Sequence, residues 1–253
     1  MLGQVLSFQI TAFILVLARI GSAVMFLPGF SSQGLPVRVR LVIAGMLSLV
    51  LLPVLQDRLP AVGLAPLNLL MVLGGEIIIG SLMGLIGAIV FSSLLTMGII
   101  TARSIGLANA MTNDPISQQQ GSVISAFLTT TGLALIFATN LHHLMIEAVV
   151  KSYTLFDVGA LPQGGDAAMM MARFVSESFE MGVQLAAPFL VLNLAFYVGI
   201  GVLTRLMPQV PIFFVALPLI VGLGMYMLAT VLPSVLRAFL GYFEDSFLRL
   251  LGG

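Results

Sequence analysis

The sequence contains no cysteine and no tryptophan. Without cysteine there are no disulfides, no thiolate catalysis and no cysteine-ligated metal. Charge is nearly as scarce: 8% of 253 residues, against 59% hydrophobic, with a mean hydropathy of +1.15. Soluble domains carry about 25% charged residues. A chain this poor in charge cannot cover a water-facing surface, so it reads as an integral membrane protein. Lys+Arg and Asp+Glu number 10 each, which leaves no basic patch for nucleic acid and no acidic tail. No Lys or Arg precedes the first apolar run, so residues 1–8 lack the start of a cleaved signal peptide. The first helix is expected to persist.

Catalytic patterns are missing too. There is no HEXXH, no phosphate-cradling glycine loop and no serine in a nucleophile motif. Gly222-Leu-Gly224 lacks the rest of a dinucleotide fingerprint. His142-His143 with Glu147 is the nearest approach to a metal set, but adjacent histidines on a helix point in different directions. They read as interfacial hydrogen-bonding residues. No cofactor or metal is expected, and no enzymatic activity.

What is present is a succession of apolar runs, and the expected fold is an all-α membrane protein of about six helical segments. Residues 5–28 form the first run, long enough to span a bilayer core of about 30 Å. A turn-rich break, residues 29–36, leads through Val37-Arg-Val-Arg40 into residues 41–55. That second run is short for a span and reads as half-buried or packed. The third, residues 67–102, is about 54 Å long as one helix, too long for one crossing and short for two. Gly74, Gly75, Gly80, Gly84 and Gly87 predict bends in it, and Gly80-Ser-Leu-Met-Gly84 has the small-xxx-small spacing that lets helix backbones approach. Residues 122–150 form the fourth run. An amphipathic stretch, 167–180, precedes the fifth, 181–203. A proline turn, Arg205-Leu-Met-Pro-Gln-Val-Pro211, joins it to the sixth, 212–236, as a helical hairpin. Residues 237–253 read as an amphipathic tail. The arginines and the lysine divide about evenly between the two sides of alternating spans, so no orientation follows.

Two features stand out within this pattern. Arg19 and Glu76 lie deep in apolar runs, where a bare charge costs a few kcal/mol or more. Each needs a partner, within the chain or across a subunit contact; a proton or solute relay is the other reading. The second feature is Gly106-Leu-Ala-Asn-Ala-Met-Thr-Asn-Asp-Pro-Ile-Ser-Gln-Gln-Gln-Gly121. This segment is polar without being ionic, with a turn signal at Asn113, Asp114 and Pro115. Such a break is costly against lipid and natural against water or protein. It reads either as an ordinary connector or as a segment that enters a water-filled path.

Taken in order, several strings resemble the FliR family, the export-gate R subunits of flagellar type III secretion, and their injectisome counterparts. They are Leu35-Pro-Val-Arg-Val-Arg40, Glu76-Ile-Ile-Ile-Gly80, the 106–121 loop and Asn140-Leu-His-His143. Ala187-Pro-Phe-Leu-Val-Leu-Asn193 and Gly201-Val-Leu-Thr-Arg-Leu-Met-Pro-Gln209 complete the set. The resemblance implies a structural and gating subunit of a protein-export channel in the bacterial inner membrane, at the flagellar basal body. A small-solute or ion transporter is the alternative. It implies helical assembly with P and Q subunits, proximity to the B subunit, contact with membrane lipid, and unfolded secreted proteins as substrates. The family assembly sits largely above the bilayer plane. The chain would comprise one domain with a P-like part, residues 1–175, and a Q-like hairpin and tail, 176–253. The loop would act as a channel plug through Gly106, Asn109, Met111, Asn113, Asp114, Pro115, Ile116, Gln118, Gln119, Gln120 and Gly121. Arg19, Glu76, His142, His143, Asn193, Arg205, Pro208 and Gln209 would serve as buried polar or assembly residues.

Overall fold

A computed structural model describes residues 2–32, 34–59, 66–107, 123–159, 164–207, 209 and 212–252; side chains at 2–8, 57, 66 and 212–215 lie outside that description. Among the described residues the chain is helical throughout, with no strand. The helices are α1 (Leu2–Phe26), α2 (Val37–Leu55), α3 (Pro66–Ser104), α4 (Val123–Ala138), α5 (Leu141–Leu155), α6 (Gly164–Leu206) and α7 (Ile212–Leu250), with a 3-10 turn at Gln56–Arg58 after α2. The chemistry leaves little choice, because a backbone in an apolar medium must satisfy its polar groups within its own segment. Among the described residues, five helices are long and apolar enough to cross a membrane, and α4 with α5 makes a sixth if the pair is counted as one.

The elements differ from the sequence reading in several places. The third run is an unbroken helix of 39 residues, about 58 Å long. Its glycines do not interrupt it: Gly80 and Gly84 are sites of close approach, as their spacing predicts, and so is Gly87, whereas Gly74 faces open space. The fourth run is two helices, parted at Asn140, whose φ of 62° and ψ of 14° place it in the left-handed region. Asparagine tolerates that region better than other side-chain-bearing residues. The amphipathic stretch and the fifth run merge into α6, and the sixth run merges with the tail into α7. The second run is a full helix whose outer side is bare, with only Ala44, Ser48 and Leu55 buried.

By contacts the chain divides into two compact units. The first holds residues 1–90, 140–175 and 244–253. Here α1 packs against α2 and α5. Leu15, Val16, Ile79 and Ile86 are buried, and α3 approaches α1 along a glycine edge. Gly80 lies against the carbonyl of Arg19, Gly84 against that of Ala23, and Gly87 against Leu27. The second unit holds residues 91–139 and 176–243. Leu94, Met97, Leu128, Phe189 and Phe239 are buried there. Its helices also meet at small residues, Gly98 against Ser125 and Gly182 against Thr96 and the Ser93 carbonyl. Ser92 and Ser178 hydroxyls stand 3.4 Å apart across the α3–α6 contact.

Candidate functional site

Arg19 and Glu76 are each other's partner. Arg19 Nε donates to Glu76 Oε2 at 2.7 Å and Nη2 donates to Oε1 at 2.8 Å, a two-pronged pair with both side chains fully buried. A guanidinium carries five N–H groups, and the remaining three are also engaged. Nη1 donates to Ser152 Oγ at 3.3 Å and to the Phe156 carbonyl at 3.2 Å. Nη2 donates to the same carbonyl at 3.2 Å. The Gly159 amide donates to Glu76 Oε1 at 3.3 Å. The guanidinium carbon stands 3.8 Å over the Tyr153 ring, which adds the attraction of a cation for an aromatic face.

Local sequence explains how these groups meet. Helix α5 ends at Ser152–Leu155, and Phe156 leaves it in an extended conformation. That turn frees the Phe156 carbonyl to face Arg19. Gly159 has φ +84° and stands close to Val72, so a side chain there would be strained and crowded. Gly80, one turn beyond Glu76, has no side chain to hold α1 away. A charge pair taken out of water is tolerable only with geometry this complete, because desolvation otherwise exceeds the Coulomb gain. With every donor used, the cluster is built to hold α1, α3 and the end of α5 in register. The nearby cavity, lined by residues including Ile20, Val24, Leu47 and Ile146, is wholly apolar.

The other residues singled out from the sequence are scattered. His142 is half-buried and His143 exposed, with ring centroids 4.1 Å apart. Among the described residues no three His, Asp or Glu side chains gather as a metal set. Asn193 is half-buried in α6, and its Oδ1 has no hydrogen-bond partner among the described residues. Arg205 and Gln209 are exposed at the end of the hairpin. Pro208 lies outside the described residues. So do Asn109, Met111, Asn113, Asp114, Pro115, Ile116, Gln118, Gln119, Gln120 and Gly121. Gly106, at the loop's start, has φ +78° and sits near Leu217 and Ile220 of α7. Ser152, Phe156 and Gly159 escaped the sequence reading, because two of them act through backbone groups that any residue carries.

Residues 10–246 match the model of the family described as bacterial export proteins, family 1. The chain belongs to that family. It is 40% identical over 233 residues to a flagellar biosynthetic protein FliR of Caulobacter vibrioides, covering 90% of this chain and 91% of that one. It is 28% identical to the FliR of Escherichia coli, covering 87% and 82% of the two chains. It is 26% identical to that of Bacillus subtilis, covering 86% and 84%. Arg19, Glu76 and the Ser152–Gly159 turn all fall inside the matched residues of this export family.

Proposed function

We propose that this chain is the R-type subunit of the flagellar protein-export gate in the bacterial inner membrane, structural in most of its length and gating in one loop. The family match along residues 10–246 carries this reading. The architecture supports it. A fully engaged Arg19–Glu76 cluster suits a rigid structural part, whereas a transporter needs polar groups left free to take a solute. No observation favours the transporter.

The partners in this reading are P and Q subunits in a helical assembly and the B subunit beside it, with unfolded flagellar proteins passing through. Residues 1–175 are the P-like part and 176–253 the Q-like hairpin. In the hairpin, α6 and α7 expose Leu194, Val198, Leu206 and Tyr226 together with Gly199, Thr204 and Thr230. Small and hydroxyl-bearing residues are what membrane helices use to meet one another. The 106–121 loop is the plug: neutral amides can bond to each other and to water without trapping a passing chain.

Affinity purification of a tagged chain from native membranes tests the assignment. It should bring down other small hydrophobic proteins in unequal stoichiometry, and truncation after Glu180 should remove the Q-like partner. A lone monomer, a symmetric homo-oligomer, or an unchanged complex after truncation overturns it.

A further inference from the structure

Glycine contacts seat the last turns of α3 on its neighbours within the second unit. Gly182 of α6 lies against Thr96 and the Ser93 carbonyl, Gly98 of α3 against Ser125 of α4, and Gly224 of α7 against Ile105. From Ser93 to Ile105 is roughly 18 Å of helix. The first two contacts bring main chain close to main chain. The third receives a side chain: a methyl group at Gly224 would overlap Cβ and Cγ2 of Ile105.

This third contact is suited to fixing a direction. Ile105 is fully buried, and its branch at Cβ leaves it few rotamers in which to move aside. On α7, Ala216, Ile220, Gly224 and Leu228 recur at every fourth position and are all buried. They form one edge of the helix, and Gly224 is the gap in it that Ile105 enters. Helix α3 ends at this point. The Ile105 amide donates to the Thr101 carbonyl at 3.0 Å and the Gly106 amide to the Arg103 carbonyl at 3.2 Å. Gly106 then turns the chain with φ +78°, a common way for a helix to stop. Ile105 is thus the last fully buried side chain of α3 before the 106–121 loop departs. The loop's far stem is held elsewhere, by Ser125 against Gly98.

We propose that Ile105 and Gly224 are positioning residues of the gate. By seating the end of α3 on α7, they set the direction in which the loop leaves and so keep the channel shut. Gly224 acts only through Ile105, and a shift of α7 by a methyl group's width passes to the loop's base. The proposal rests on the plug reading of the 106–121 loop.

Ion conductance of bilayers that hold the complete complex tests it, with the deletion of residues 109–119 defining the leak of an unplugged channel. Gly224→Ala should assemble and leak about tenfold more than the parent, the population shift expected when a modest overpacking cost falls on the seated form alone. Ile105→Ala, which empties the gap, should leak as well. The double variant should return toward parent tightness, because the methyl group added at 224 fills space vacated at 105. Gly222→Ala, exposed on the same helix with open space around it, should stay as tight as the parent. In the deletion background Gly224→Ala should add no leak, and any added leak overturns action through the loop. A leaking deletion beside a tight, assembled Gly224→Ala overturns the seat and leaves the plug reading standing. A tight deletion overturns the plug reading and the seat with it. If Gly224→Ala fails to assemble, a double variant that assembles and stays tight supports the seat. A double variant that also fails makes the contact structural only and overturns the positioning role.

Discussion

Gly80 lies against the main-chain carbonyl of Arg19, one turn along α3 from the carboxylate that pairs with the Arg19 side chain. Arg19 therefore takes part both in the helix spacing, with Gly80, and in the ion pair, with Glu76. A methyl group at position 80 would overlap that carbonyl and the Ser22 hydroxyl, and a helix backbone cannot give way cheaply. Gly80→Ala should cost about 1–3 kcal/mol, the range for overpacking a tight site. Gly74, in the same helix, has open space around it. Gly74→Ala should be neutral or stabilise by up to ~1 kcal/mol, since alanine is the better helix former. Thermal melts of the purified complex compare the two, and equal effects would contradict the close packing.

Removing one member of the buried pair should cost more than removing both. Arg19→Met leaves a buried carboxylate, and Glu76→Gln leaves a buried guanidinium without its counter-charge. Either change should cost about 3–5 kcal/mol and sharply lower assembly yield. The double variant, Arg19→Met with Glu76→Leu, should recover part of that loss. A double-mutant cycle on thermal stability measures the coupling, and additive losses would show that the pair does not act as a unit.

Asn140 carries a side chain in the left-handed region, with φ 62°. Asn140→Gly should be nearly neutral, whereas Asn140→Ala should destabilise by about 1 kcal/mol and Asn140→Val by more. Melting temperatures in that order are the expected outcome. An alanine variant as stable as the parent would mean that the α4–α5 break does not depend on this conformation.

Deleting residues 109–119 should leave the complex assembled and make it conduct. The plug reading expects an ion leak through bilayers that hold the deleted form. Membranes as tight as those with the parent complex would make the segment an ordinary connector.

Helix content, the number of apolar segments and the need for partners at Arg19 and Glu76 are legible in the sequence, because each follows from the cost of polar groups in an apolar medium. Which partner each takes is less legible. Arg19 spends two of its five donors on one backbone carbonyl, that of Phe156, and a carbonyl leaves no mark in composition. Glycine in α3 reads two ways in the sequence, as a bend or as a close approach; the close approach that the Gly80–Gly84 spacing predicts is observed, because in a packed apolar setting the missing side chain matters more than its flexibility. The merger of the last run with the tail was hidden by Arg237, which reads as a boundary charge. In α7 it is an exposed residue whose Nε donates to the Pro233 carbonyl at 3.2 Å, one turn back.

The cluster around Arg19 also imposes an order on synthesis. Its carboxylate lies 57 positions downstream, but the Phe156 carbonyl lies 137 positions downstream. A nascent chain that has made α1 and α3 can close the charge pair, yet three of the five guanidinium donors still lack acceptors until residues 152–156 emerge. At about 5–20 residues per second, that gap between Glu76 and Phe156 lasts roughly 4–16 s. For that interval the first three helices hold a half-satisfied arginine, and they need shelter from lipid that the finished fold later supplies from within.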